Sequence, residues 1–122
     1  VYEMFLGPLE ATKPWNTKGV EGVWRFLNRV WRTIVDVESD QPALVKEIAA
    51  SAAPTREQLR MLHLMIRGVT EDTEAMRFNT AISKMMEYTN FLSREASRPR
   101  ELVEPLVLCL APFAPHLAEE LW

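Results

Sequence analysis

Ala111-Pro112-Phe113-Ala114-Pro115-His116-Leu117-Ala118-Glu119-Glu120-Leu121-Trp122 closes the chain and decides its fold class. Just upstream, Leu102, Val103, Leu106, Val107 and Leu110 recur at the spacing of one helix face. Pro112 has no backbone N–H to donate, so that helix ends at this point. Pro115 falls where a helix tolerates proline best, at the first position of a new one. Leu117, Leu121 and Trp122 give the new helix an apolar edge, while Glu119 and Glu120 face solvent. His116, in its first turn, reads as a cap or packing residue. Two helices joined by a proline corner carrying Phe113 form a packing device and offer no catalytic group.

Working back toward the N-terminus, the same logic repeats. Pro99 opens the helix that ends at Pro112, and Pro105 inside it should kink it or shift its start. Asn79 or Thr80 can cap the helix before, whose inward face carries Ala81, Ile82, Met85, Tyr88, Thr89 and Leu92. Thr55 and Gln58 have capping-box spacing and start a helix with the stripe Leu59, Leu62, Ile66, Val69, Thr73 and Met76. His63 sits at the edge of that stripe, as a partly buried structural histidine. The first long helix begins with Thr17 as N-cap and shows Val20, Val23, Trp24, Leu27, Val30, Trp31, Ile34 and Val35 on one face. Asp36 to Pro42 reads as a helix end and loop, and the alanine-rich pattern of Ala43 to Ala53 is undecided. Gly7-Pro8 breaks the opening apolar segment, and Lys13-Pro14-Trp15-Asn16 continues as a loop in which Trp15 should wedge against the bundle. No strand-like alternation or internal repeat occurs. The reading is an all-α bundle of four or five helices. Both ends fall within apolar or helical patterns, which reads as a piece of a longer protein.

At 122 residues the chain has the length of one domain and should bury roughly two-thirds of its unfolded surface. No apolar run approaches the ~20 residues that span a bilayer, and no signal-peptide pattern opens the sequence. Cys109 is the only cysteine and lies among leucines and valine, where it should behave as a small hydrophobe. One cysteine forms no internal disulfide, and a reducing, cytoplasmic setting fits.

The residues offer little to catalysis. His63 and His116 have no partner at metal-ligand spacing, and no glycine-rich phosphate loop is present. Glu71-Asp72 and Glu119-Glu120 are adjacent in sequence, and adjacent helical residues point apart. Charge is more informative. The net charge is −3, yet from Lys13 to Arg32 the basic residues Lys13, Lys18, Arg25, Arg29 and Arg32 are set against only Glu21. From Glu101 onward there are four glutamates and no lysine or arginine. At ~100 degrees per residue, Arg25, Arg29 and Arg32 fall within about 60 degrees of one another, opposite the core stripe, with Lys18 on the same line. Arg56, Arg60, His63 and Arg67 share a second narrow arc, beside the core face of their helix. Such stripes are either solvated helix surfaces or phosphate-binding ladders, and the residues alone leave both open.

A wider pattern bears on that choice. Tyr2-Glu3-Met4-Phe5-Leu6-Gly7-Pro8-Leu9-Glu10, Lys13-Pro14-Trp15, Gly19-Val20-Glu21-Gly22-Val23 and Arg25-Phe26-Leu27-Asn28-Arg29-Val30-Trp31-Arg32 resemble bacterial-type leucyl-tRNA synthetases. The match falls where the catalytic core gives way to the helical, so-called anticodon-binding domain of this class I family. Leu62-His63, Val69-Thr70-Glu71-Asp72-Thr73-Glu74 and Arg77-Phe78-Asn79-Thr80-Ala81-Ile82 resemble the middle of that domain. The closing motif is shared with the valine and isoleucine enzymes. The resemblance implies residues 1–16 as the segment arriving from the catalytic core and 17–122 as a tRNA-binding bundle. It implies a parent enzyme that ligates leucine to its tRNA with ATP, whose signatures His-Ile-Gly-His and Lys-Met-Ser-Lys-Ser are absent here. The piece itself would hold no catalytic residue, cofactor or metal and would be a cytoplasmic monomer. Its partners would be leucine tRNA and the core of its own chain, and no membrane. Domains of this family contact the tRNA backbone rather than the anticodon, which assigns Lys18, Arg25, Arg29, Arg32, Arg56, Arg60 and Arg67 as backbone-binding residues. Packing would then place the four tryptophans. Where similar sequences carry more basic residues after Leu62-His63, Arg67 keeps a charge and Gly68 supplies none. The alternatives are the equivalent domain of a sister synthetase, or a protein-interaction module docking through Leu64 and Met61.

Overall fold

The computed structural model describes residues 1–8, 10–12, 14–40, 43–45, 48 and 53–122. Lys13, part of the Lys13-Pro14-Trp15 loop, and most of the Ala43 to Ala53 pattern lie outside the described residues. Six helices occur among the described residues: α1 Tyr2–Phe5, α2 Thr17–Ile34, α3 Arg56–Glu74, α4 Phe78–Ser93, α5 Arg100–Leu110 and α6 Pro115–Leu121. No strand is found among them, and a single antiparallel bridge joins Val35 to Leu44. The all-α expectation holds. The helix beyond the expected four or five is the one-turn α1, which packs on α4 and α2.

α3 and α4 form the most closely packed pair, α5 crosses both, and α6 folds back on α5. The core faces read for α4 and α5 are the observed ones: Ala81, Ile82, Met85, Tyr88, Thr89 and Leu92 against Leu102, Val103, Leu106, Val107 and Leu110. Tyr88 donates to the Leu102 carbonyl at 2.6 Å, and burial, with Cys109 nearby, pushes its phenol well above its ordinary value. Cys109 is half-buried, and burial raises its thiol too, which disfavours the thiolate. Helix α5 starts at Arg100 with Pro99 as N-cap and runs through Pro105, so its start is not displaced. Pro105 leaves the Glu101 carbonyl without its helical donor, and Glu101 is exposed to water. Pro115 is the first residue of α6, and Phe113 is buried at the corner, edge-on to Phe78 at 5.9 Å.

Several local expectations are corrected. Asn16, not Thr17, caps α2: its side chain accepts from the Lys18 N–H at 2.9 Å. Helix α4 begins at Phe78 with no side-chain cap, so neither Asn79 nor Thr80 fills that role. Thr55 and Gln58 do form the capping box. On α2 the buried residues are Val23, Phe26, Val30, Thr33 and Ile34, while Trp24 is 65% exposed and Trp31 half-buried. On α3 they are Gln58, Leu62, Met65, Gly68, Val69 and Asp72. Leu59 is pushed to the rim, and Met76 lies beyond the helix end at φ 58°. His63 and His116 are both exposed, so neither packs, and α6 has no side-chain cap. Trp122 is exposed as well.

The opening segment is pinned by Tyr2 rather than Trp15. The Tyr2 hydroxyl donates to the Asn16 carbonyl at 2.9 Å and accepts from the Asn16 N–H at 2.7 Å. Its ring lies on Gly19, where an added Cβ would come within 2.7 Å of it. Trp15 only meets the edge of that ring and is 71% exposed. Tyr2→Phe should therefore cost about 1–2 kcal/mol for the paired hydrogen bonds. Trp15→Ala should cost less, well below the ~3–5 kcal/mol of a buried aromatic. Thermal unfolding of the two variants side by side checks the order.

Candidate functional site

Helix α2 turns its core face, centred on Phe26, Val30 and Thr33, toward α4, which leaves Arg25, Arg29 and Arg32 along its exposed flank. The three arginines line one open groove of about 450 Å³ with Trp24, Asn28 and Thr33 from α2, Ser93 from α4 and Arg98 from the loop beyond. The groove exists because the C-terminal ends of α2 and α4 are tied together. Arg98, 9% exposed, donates to the carbonyls of Thr33 at 2.9 Å, Ser93 at 2.9 Å and Glu95 at 3.2 Å. Thr33 and Ser93 belong to the last turns of their helices, where carbonyls lack intrahelical donors and carry partial negative charge. The guanidinium thus caps two helix ends at once. None of the described ion pairs involves it.

The three groove arginines differ in commitment. Arg29 donates to the Asn90 side chain at 2.8 Å, a neutral partner that fixes its position without cancelling its charge. Arg25 pairs with Glu21 at 3.4 Å on an exposed helix face, where such a pair is weak and screened. Arg32 makes no hydrogen bond or ion pair among the described residues. Lys18 is exposed on the same line of the helix, nearly two turns before Arg25, and does not line the groove.

The second stripe is real but separate. Arg56, Arg60, His63 and Arg67 are all exposed, on the face of α3 opposite its buried residues rather than beside them. Arg67 pairs with Glu71 at 3.0 Å. A recess lined by Glu57, Glu87 and Glu95, with Arg94, lies on the α3–α4 side. Asn90, which holds Arg29, also lines that recess. The two stripes are therefore divided by carboxylates and do not form one continuous ladder. Of the two apolar residues proposed for docking, Leu64 is exposed while Met61 packs against the core, so they do not present a shared face.

Sequence reasoning missed Arg98 and misplaced Trp24. The signal for Arg98 was the cluster Arg94, Arg98 and Arg100, which runs from the end of α4 to the start of α5. Trp24 carried no signal, since its spacing matches that of a core residue. Among the described residues no group of histidine, cysteine and carboxylate side chains could hold a metal.

The fold is thus a helical bundle with a proline-cornered C-terminal half and an arginine-lined groove along its first long helix. Residues 55–122, from the α3 cap to the end of α6, match the anticodon-binding domain of tRNA ligase, and the chain belongs to that family. Over all 122 residues it is 57% identical to the leucine–tRNA ligase of Rhodopirellula baltica and 57% identical to leucine–tRNA ligase 1 of Rhizobium johnstonii. It is 54% identical to the leucine–tRNA ligase of Chlorobium limicola. Each alignment takes in the whole of this chain but only 13%, 14% and 15% of the respective relative.

Proposed function

We propose that this chain is the tRNA-binding helical domain of a bacterial-type leucine–tRNA ligase. The observation that carries the reading is identity above half, along the entire chain, to proteins of that name. In the parent, a catalytic core elsewhere in the polypeptide joins leucine to its tRNA with ATP, in the cytoplasm. Residues 1–16 lead from that core, and residues 17–122 hold the tRNA. The domain itself works without a cofactor or metal. The groove of α2 supplies the mode of binding: Arg25, Arg29 and Arg32 engage backbone phosphates, with Arg98 as a fixed positive floor. Arg56, Arg60 and Arg67 on α3 form a second contact line, in which Arg67 shares its charge with Glu71 through an exposed pair, as Arg25 does with Glu21. Among the described residues, no helix is long and apolar enough to cross a membrane.

The test is the salt dependence of tRNA binding by the whole ligase. Each phosphate contact contributes about 0.7–0.9 to the slope of log affinity against log salt. Changing Arg25, Arg29 and Arg32 together to glutamine should flatten that slope by about two to three units, with Arg32→Gln the largest single effect. Leucine-dependent pyrophosphate exchange should stay as in the unchanged enzyme while tRNA charging falls. An unchanged slope would overturn the groove as the phosphate site.

A further inference from the structure

We propose that Trp24 is a base-stacking residue: an unstacked nucleotide of the bound RNA lays its base on this ring while its phosphates sit among the groove arginines. The inference rests on the tRNA-binding reading and departs from the backbone-only contact that the family resemblance implies. Trp24 is 65% exposed although it is among the largest apolar side chains on α2. It stands on a ridge shared by two grooves. On one side lies the basic groove of Arg25, Arg29 and Arg32. On the other, Trp24 lines an apolar groove of about 330 Å³ with Leu27, Asn28, Trp31 and Leu117, the last from α6. A nucleotide has the same two-part chemistry, an anionic phosphate and a flat, largely apolar base, and an aromatic ring at such a boundary is how single-stranded nucleic acid is held. The order of residues also fits. Trp24 and Arg25 are neighbours in sequence and both line the basic groove, so one nucleotide reaches both.

Asn28 lies one turn on and lines both grooves. It uses one amide hydrogen on the Trp24 carbonyl at 2.9 Å. Its side-chain oxygen, Oδ1, makes no hydrogen bond among the described residues, so an acceptor is available beside the ring for a base edge. A protein partner would find the same apolar groove, but the flanking row of arginines favours a polyanion.

The experiment uses the full ligase and two RNA probes: a leucine tRNA transcript and a blunt-ended RNA duplex in which every base is paired. Stacking of one base is worth roughly a ten- to hundred-fold change in affinity on truncation to alanine. Trp24→Ala should weaken the tRNA transcript by that factor, leave its salt slope unchanged, and leave the duplex's affinity as before. Trp24→Phe should restore most of the loss. Arg25, Arg29 and Arg32 changed to glutamine should weaken both probes. If the arginine variant weakens both while Trp24→Ala changes neither, the stacking proposal is overturned and the tRNA-binding reading stands. If neither variant affects either probe, both fail. If Trp24→Ala lowers leucine activation or thermal stability without touching RNA affinity, the ring packs on the rest of the parent, and the proposal is overturned.

Discussion

Replacing Arg98 by alanine is expected to destabilise the bundle by about 3 kcal/mol, a fall in Tm of roughly 10 °C for a chain of this size. One cation donates three hydrogen bonds here, to the carbonyls of Thr33, Ser93 and Glu95. Charge-assisted bonds are each worth about 1.5–3 kcal/mol, but they share one side chain and do not add. The groove above is open, so water rehydrates part of what is lost. What water cannot restore is the tie between the ends of α2 and α4, which are 60 residues apart in sequence by the Thr33 and Ser93 positions. The effect should be nearly independent of salt, because the cation is buried against helix ends rather than exposed. Arg98→Lys should recover only a fraction, since an ammonium cannot reach three carbonyls in a planar fork. Chemical denaturation at low and high salt measures all of this. A loss below about 1 kcal/mol would mean the helix ends hold together without the guanidinium.

How far the sequence could be read follows from where burial tracks apolarity. On α4 and α5 every core position is apolar, aromatic or threonine, so periodicity alone finds the faces. On α2 it fails by one column. Trp24 and Trp31 lie seven residues apart and look like an extension of the Val23 and Val30 column, yet the helix is rotated to bury Phe26 and Thr33 instead. Tryptophan is a poor guide because its size makes complete burial uncommon. On α3 the buried set includes Gln58, Gly68 and Asp72, which hydrophobic counting discards. Each is buried for a partner elsewhere in the fold: Gln58 donates to the Ser97 carbonyl at 2.9 Å, and Gly68 and Asp72 receive Lys84. The same limit governs the site. Arg25, Arg29 and Arg32 were legible because their relation is local to one helix. Arg98 was not, because its main contact is to a residue 65 positions away. Trp15 was expected to wedge the opening segment, but a hydroxyl on Tyr2 satisfies both polar groups of the Asn16 backbone and does so better.

Asp72 should give the second large effect, and it carries a pH signature. It is 3% exposed in the last turns of α3, where a negative charge opposes the helix dipole. Lys84 donates to its Oδ2 at 2.6 Å, and Arg77 to its Oδ1 at 3.2 and 3.3 Å. Burial by itself would raise this carboxyl. Hydrogen bonds from Lys84, Thr80 and Arg77, with the Lys84 charge, outweigh it and hold the group below the ordinary carboxylate value. A depressed folded value means the contribution is fully present above the unfolded value of about 3.9 and is lost as pH falls through the lower folded one. Breaking a fully buried pair costs about 3–5 kcal/mol, but both cations are partly solvated, so Asp72→Asn should cost about 2 kcal/mol at neutral pH. The deficit should shrink as pH falls below 4. Gly68 supplies an independent check. The Lys84 chain runs so close over it that an added Cβ would lie 2.5 Å from Lys84 Cδ. Gly68→Ala should therefore displace Lys84 from Asp72, which offsets the roughly 1 kcal/mol that alanine gains in a helix. In the Asp72→Asn background there is no ion pair left to lose, and the same substitution should stabilise. Urea unfolding of the four proteins at pH 7 closes the cycle. If Gly68→Ala stabilises equally in both backgrounds, Lys84 does not hold Asp72 through the space that glycine leaves open.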